Sequence, residues 1–182
     1  MLTFQIKHLG ETSSTNTLLL ERAANNAPEG LVLVADSQTA GRGKPGRQWI
    51  SPAGKNLLCS VLLRPPLSPA QAPMFTQIAC RAVAQTLKSK YDIDAQLKRP
   101  NDVMFSGKKL CGILTEALST ATKLDAVVIG IGLNVNAKTS ELPPEGISMF
   151  EITGKNYSLD EVLGFVLEEL RVGVSEFYRK KA

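Results

Sequence analysis

The chain has 182 residues, of which 43% are apolar and 21% charged, and its formal net charge is +4. This composition is typical of one globular domain, and no apolar run reaches the ~20 residues that a membrane-spanning helix needs. The amino terminus lacks a secretory-signal pattern, and three widely spaced cysteines without a CxxC pair favour reduced cytoplasmic thiols over a disulfide framework or a zinc site.

The amino-terminal half is predicted to contain three strands and two helices. The alternating residues of "LTFQIKHL" indicate a strand with the single histidine, His8, which alone cannot supply a histidine-rich metal site. A helix is expected in "SSTNTLLLERAANNA", begun by the hydroxyl of Ser14 or Thr15. The runs "GLVLVADS" and "NLLCSVLLR" predict buried strands, and Pro73 opens a helix whose apolar residues recur every 3.6 positions.

The carboxy-terminal half is predicted to consist of four short strands followed by helices. The strands are "AQLKR", "DVMFS", "KLCGILTEAL" and "DAVVIGIGLNVN", and "SGKK" indicates a hairpin turn between the second and third. "SMFE" and "SLDE" match the capping-box pattern, and the second of them begins a final amphipathic helix. Strands that mix with hairpins and helices predict an α+β domain around a mixed sheet.

The charges are strongly segregated along the chain. No acidic residue occurs between Asp36 and Asp92, whereas that interval contains eight lysines and arginines. Such a segment attracts anions. Charge alone does not choose between a nucleic acid and the phosphates of a nucleotide.

Within this basic interval lies the glycine-rich stretch "QTAGRGKPGRQW". Gly41, Gly43 and Gly46 satisfy G-x-G-x-x-G, but the nearby prolines oppose a helix and the ribose-binding acid is missing, so a Rossmann turn is excluded. No Gly-Lys pair completes a P-loop. The prediction is a long cationic loop, residues 38–54, that grips phosphate through arginine and closes on a ligand, with a solvated surface loop as the alternative.

Five motifs occur in order along the chain. They are "SSTN" before a helix, "QTAGRGKPGRQW" after the second strand, "KRPNDV" before a hairpin, "KKLCGILTE" after it and "VVIGIGLNVN" in the last strand. In this order and at these spacings, from about residue 10 to residue 136, the chain resembles the catalytic domain of biotin protein ligases. The resemblance implies a mixed, mostly antiparallel sheet with helices packed on one face, similar to class II aminoacyl-tRNA synthetases.

The same resemblance implies an activity and its partners. Members of that family join biotin to ATP, normally with Mg²⁺, and form biotinyl-5′-AMP and pyrophosphate. They then transfer biotin to a lysine of a biotin carboxyl carrier domain, such as that of acetyl-CoA carboxylase. We expect a single cytoplasmic domain over 1–182 that binds neither DNA nor membrane, lacks all or most of the family's small carboxy-terminal β-domain, and is compatible with a homodimer.

The resemblance also implies roles for individual residues. The expected catalytic residues are Lys109, which would reach the biotin carboxylate and the α-phosphate, Arg42, which would bind the phosphate, and Asp102. Asn101 and Asp102 stand where the family places phosphate, metal or acyl-transfer contacts. The expected biotin-binding residues are Ser14, Thr15, Asn16, Gln38, Arg42, Gly43, Lys44, Lys109 and Gly112. The expected nucleotide-binding residues are Arg42, Lys44, Trp49, Asn101 and Asn134. No metal ligand is assigned.

Purely structural roles stay open for several of these residues. Ser14 and Thr15 also suit a helix cap, Trp49 suits a core position, Asn101 and Asp102 suit a plain turn, and Gly112 suits a bulge. Three positions depart from the family pattern. Lys44 and Pro45 stand where many members have arginines, and Arg99 stands where tryptophan is common.

Two other functions remain alternatives. Lipoate–protein ligases and octanoyl transferases share the fold, although "GRGKPGRQW" together with "KRPND" favours biotin. The chain could also be a non-catalytic module that binds biotin-adenylate or a nucleic acid. Few aromatic residues lie among the cations, which gives base stacking little support.

Overall fold

The computed structural model describes residues 2–44 and 46–180. Its strands are β1 (Gln5–Thr12), β2 (Leu31–Gln38), β3 (Leu57–Leu63), β4 (Gln96–Lys98), β5 (Asp102–Phe105), β6 (Lys108–Ser119) and β7 (Leu124–Leu133). Its α-helices are α1 (Thr15–Ala24), α2 (Pro73–Tyr91), α3 (Met149–Thr153) and α4 (Leu159–Arg179). Each predicted strand and helix is present, which confirms the α+β prediction. The first strand lies three residues later in the chain than the pattern "LTFQIKHL" indicated.

These strands form one sheet in the order β1-β2-β3-β7-β6-β5-β4. β1 and β2 pair in parallel, and the other neighbouring strands pair antiparallel. The expected mixed, mostly antiparallel sheet is therefore confirmed. The hairpin between β5 and β6 turns at Ser106 and Gly107, which both have positive φ, as a tight two-residue turn requires.

The two faces of the sheet are covered differently. Because side chains alternate along a strand, each strand contributes to both faces. One face is filled by α2 and α4 with alternate residues of β2, β3 and β7, including Phe75, Val83, Leu163, Val166, Val34, Cys59 and Ile129. Leu19 and Ala23 of α1 instead pack on the opposite face, against Leu33, Leu62 and Val128. The expectation that helices pack on one face is thus wrong for α1.

The predicted helix-start signals are confirmed. The Ser14 hydroxyl accepts a hydrogen bond from the Thr17 amide at the start of α1. Ser148 and Ser158 do the same for the third residue of α3 and of α4. A side-chain acceptor satisfies amides that lack partners in the first helical turn.

The three cysteines are free and buried. Burial raises the pKa of Cys59 to about 12 and that of Cys80 to about 11, so both thiols are protonated at neutral pH and are poor nucleophiles. Within residues 2–44 and 46–180, no group of three or more His, Cys, Asp or Glu side chains is arranged to hold a metal. The same part of the chain contains no helix with the length and hydropathy of a membrane span.

Substitution of Gly30, which precedes β2, is expected to destabilise the fold. Its φ is +85°, and a Cβ atom would overlap the backbone carbonyl oxygen of Thr3. Gly30→Ala should lower the free energy of unfolding by more than about 2 kcal/mol, measured by urea denaturation. Gly54→Ala is the control, because its φ is +67° in open space and only the left-handed backbone conformation costs about 1 kcal/mol. Equal losses in the two variants would contradict the predicted overlap at Gly30.

Candidate functional site

A cavity of about 490 Å³ lies on the face of the sheet that α1 leaves partly uncovered. Gly112 of β6 and Gly130 and Gly132 of β7 line it, and Gly112 pairs directly with Gly132. Strand glycines mark places where another group approaches the backbone closely. These three residues, which we call the glycine strip, therefore provide a floor without side chains. The start of α1 and the loop after β2 complete the walls.

The thirteen residues expected at the site all border this cavity. They are Ser14, Thr15, Asn16, Gln38, Arg42, Gly43, Lys44, Trp49, Asn101, Asp102, Lys109, Gly112 and Asn134. Residues up to 120 positions apart are thus brought together by the sheet and by α1. Gly130 and Gly132, Arg47, Lys98 and Arg99 also line the cavity. Of these, only Arg99 was singled out from the sequence, as a departure from the family pattern.

A buried polar cluster lies where α1 begins. Gln38 Oε1 accepts hydrogen bonds from the backbone amide and the hydroxyl of Thr15, at 2.8 and 3.1 Å. The Ser60 hydroxyl lies 2.7 Å from Thr15 Oγ1 and 2.6 Å from Asn16 Oδ1. These contacts orient the polar groups before a ligand arrives. Ser60 was missed, although a serine within the apolar run "LLCSVLL" is the signal that could have revealed it.

Asn16 lies directly against the glycine strip. A Cβ atom on Gly130 would overlap the Asn16 side-chain oxygen. The Asn16 amide donates to Leu114 O at 3.1 Å and to Glu116 Oε2 at 2.9 Å. The alternating glycines of "GIG" therefore leave the space in which this amide is held.

Lys109 reaches the cavity because β6 contains a bulge. Val103 of β5 pairs with Cys111 and Met104 pairs with Lys109, so Leu110 is an extra residue. Leu110 and Cys111 consequently both pack in the core, and the alternation of faces is shifted by one residue. With regular alternation Lys109 would share the core face of Cys111, whereas the bulge turns it into the cavity.

The position of Lys109 is fixed by both its side chain and its backbone. Its Nζ lies 2.8 Å from Asp102 Oδ1, and its backbone amide donates to Glu145 O at 2.7 Å. Its Nζ also lies 5.4 Å from the centre of the Trp49 ring, within the range of a cation–π contact. Lys108 is exposed, as expected for its neighbour on the other face.

Trp49 lies in the cavity, over the glycine strip, and not in the hydrophobic core. A Cβ atom on Gly132 would be 2.5–2.8 Å from its indole atoms, and one on Gly112 would be 2.9 Å away. Its Nε1 is buried without a hydrogen-bond partner among the described residues. A buried donor without a partner lowers the stability of the folded protein. This donor is therefore available to a ligand that offers an acceptor.

Asn101 and Asn134 differ in which side-chain atoms already have hydrogen-bond partners. Asn101 donates to Ile113 O at 2.8 Å, while its Oδ1 is buried without a partner in the described chain. Asn134 donates to Lys109 O and Ile147 O at 3.3 and 3.1 Å, so both amide protons are engaged by backbone carbonyls. Asn134 therefore supports the backbone of Lys109, and its contact with a nucleotide stays a prediction.

The loop after β2 is folded as an irregular hairpin. Arg42 and Gln48 form an isolated bridge, and the Gly43 amide donates to Arg47 O at 3.0 Å. Arg42 Nη2 lies 2.7 Å from Glu116 Oε1, and Nη1 lies 3.4 Å from Thr17 Oγ1. Pro45, one of the positions that departs from the family pattern, lies outside the described residues.

The cavity has a positive lining. Among the described residues, six cationic side chains border it, those of Arg42, Lys44, Arg47, Lys98, Arg99 and Lys109, against the two carboxylates of Asp102 and Glu145. Arg42 and Lys109 are held in ion pairs. The excess of positive charge attracts anionic ligands.

Comparison with known proteins gives consistent matches. Residues 10–134 match the model of the biotin/lipoate A/B protein ligase family. The chain is 43% identical over 133 residues to the bifunctional ligase/repressor BirA of Bacillus subtilis, covering 73% of this chain and 41% of that protein. It is 34% identical over 178 residues to the biotin–[acetyl-CoA-carboxylase] ligase of Mycobacterium tuberculosis, covering 95% and 65%. The chain thus spans less than two thirds of the length of these two relatives.

A solved structure shows the same fold. The biotin protein ligase from Aquifex aeolicus, in complex with biotin and ATP, matches with a TM-score of 0.81 and 35% sequence identity. The match covers 97% of this chain and 72% of that one.

Trp49, the single tryptophan of the chain, reports on the glycine strip. Gly132→Ala should push the indole toward water and move its fluorescence emission to longer wavelength, because the new methyl group would occupy its space. Gly10→Ala is the control, since a Cβ atom there meets nothing within 4 Å. Identical emission spectra for Gly132→Ala and the unchanged protein would contradict the packing of Trp49.

Proposed function

Because the chain belongs to the biotin/lipoate A/B protein ligase family, we propose that it is an ATP-dependent biotin–protein ligase. One observation carries the proposal. Lys109 and Arg42 come from distant segments of the chain and border the same cavity. The buried polar cluster and the glycine strip border it as well. Such a cavity suits a small acid with a polar ring at one end and a nucleotide at the other.

The positive lining matches the chemistry of the first step. A carboxylate oxygen of biotin attacks the α-phosphorus of ATP, a P–O bond forms, and pyrophosphate leaves. Both reactants are anions, so cations must offset their repulsion and the charge that develops. Lys109, turned inward by the bulge at Leu110, is proposed to contact the carboxylate and the α-phosphate. Arg42 is proposed to bind the phosphate, for which its planar fork of donors is suited.

The remaining residues suit the two ends of the ligand. Thr15, Asn16 and Ser60 offer hydroxyl and amide groups, and we assign them to the ureido ring of biotin. The apolar part of biotin would lie along the glycine strip beside Trp49. The adenylate then loses AMP when the amine of a carrier lysine attacks its acyl carbon.

Magnesium suits the oxygen atoms near the predicted phosphate position. The buried Asn101 Oδ1 has no partner in the described chain, and the adjacent Asp102 carboxylate lines the same cavity. Mg²⁺ prefers oxygen ligands and commonly uses one or two protein carboxylates together with substrate phosphates. Asn101 and Asp102 would therefore hold the ion, which when bound neutralises phosphate charge.

We propose a biotin carboxyl carrier domain as the acceptor. The names of the Mycobacterium tuberculosis relative and of a relative from Paracoccus denitrificans specify acetyl-CoA-carboxylase as the protein that is modified. The acceptor of this chain is thus expected to be the carrier domain of a biotin-dependent carboxylase.

The purified protein is expected to catalyse biotin-dependent exchange of radiolabelled pyrophosphate into ATP, because adenylation is reversible. When an apo carrier domain is added, the protein should transfer biotin to it. Lipoic acid in place of biotin is the control. Exchange with lipoate but not with biotin would transfer the assignment to lipoate–protein ligase.

Removal of the Lys109 amine should slow adenylation. Lys109→Ala is expected to lose about 3–4 kcal/mol of transition-state stabilisation, the cost of one preorganised donor, measured as kcat/KM for pyrophosphate exchange. Lys108→Ala is the matched control, because the neighbouring side chain is exposed and should leave the rate unchanged. Equal rates in the two variants would remove Lys109 from the mechanism.

A further inference from the structure

The carboxylate of Glu116 joins two separate parts of the site. Glu116 lies on β6 on the same face as Gly112 and Leu114, because these residues alternate along the strand beyond the bulge. Oε1 lies 2.7 Å from Arg42 Nη2, and Oε2 accepts a hydrogen bond from the Asn16 amide at 2.9 Å. The loop and the floor of the cavity are therefore held by one side chain.

Each of these contacts leaves its partner with little freedom. Asn16 is 4% exposed, and its oxygen is already engaged by Ser60 at 2.6 Å. Glu116 and the Leu114 carbonyl, which both accept hydrogen bonds from the Asn16 amide, thus set which way that amide faces. Arg42 has a second contact only with Thr17, at 3.4 Å, so in the described chain Glu116 provides its single ionic partner.

We propose that Glu116 is a positioning residue, which orients Asn16 for the ligand and holds Arg42, and with it loop residues 41–44 and 46–50, against the cavity until an anion takes over the guanidinium. The carboxylate touches no reacting atom. It acts through the two residues that do contact ligand, and the functional part of this inference rests on the proposed biotin ligase activity.

The test compares Glu116→Gln with Glu168→Gln. Glu168 forms another Arg–Glu pair, with Arg171 on α4 at 2.5 Å, and it does not line the cavity. The control thus removes the same kind of charge pair without touching the site. Arg42→Gln breaks the Glu116 pair from the loop side and serves if Glu116→Gln fails to fold.

The first measurement needs no substrate. Hydrogen exchange of the amides of residues 41–44 and 46–50 in the ligand-free protein should be several-fold faster in Glu116→Gln and in Arg42→Gln than in Glu168→Gln, because these residues have lost the ion pair that ties them to β6. Unchanged hydrogen exchange in both Glu116→Gln and Arg42→Gln overturns the proposal. This result stands whether or not the protein uses biotin.

The second measurement separates positioning from catalysis. In pyrophosphate exchange, Glu116→Gln should raise KM for biotin about ten-fold and leave kcat within about two-fold, because Asn16 contributes equally to ground-state and transition-state binding. A fall in kcat with unchanged KM overturns the proposal. If the unchanged protein shows no biotin-dependent pyrophosphate exchange, the proposed function is refuted. The hydrogen-exchange measurement then decides the role of Glu116.

Discussion

One extra residue in a strand determines what this cavity can do. At Leu110 the pairing of β5 with β6 slips by one residue, and two consecutive side chains, Leu110 and Cys111, enter the core. The slip turns Lys109 to the opposite face, where its amine meets Asp102 at 2.8 Å. A bulge is a local irregularity with a large consequence, because each strand residue before it faces opposite to the side that regular pairing would give it. Without the bulge the cavity would lose the Lys109 amine.

The two ion pairs of the site matter for orientation more than for stability. Arg42–Glu116 and Lys109–Asp102 are partly exposed, and such pairs contribute about 0–1 kcal/mol to folding. Their effect is to keep two long, flexible side chains near the positions that anionic ligands would require. An incoming phosphate or carboxylate then replaces a protein carboxylate as the partner of the cation, and no disordered side chain has to become ordered on binding.

The glycine strip explains why polar and aromatic groups can lie so close to the sheet. Gly130 leaves room for Asn16, and Gly112 and Gly132 leave room for Trp49. Any side chain at these positions would fill the floor of the cavity. The same alternate glycines are visible in the apolar run "VVIGIGLNVN", yet the local pattern predicted no role for Gly130 or Gly132. Their partners lie more than 80 positions away along the chain.

Local patterns were sufficient to predict every strand, every α-helix and the serine caps, because periodicity, capping and turn chemistry act over a few neighbouring residues. The residues expected around the cavity followed instead from the resemblance to biotin protein ligases. Neither was sufficient for the packing of α1 on the second face, for the buried Ser60, or for Glu116 as the partner of both Asn16 and Arg42. The contacts of Ser60 and Glu116 join residues that are 44 to 100 positions apart. The amino-acid order by itself thus determined the elements and the chemical character of the site. Only the tertiary structure decided which side chains meet there, since strand order and a one-residue slip in pairing set the direction of each side chain.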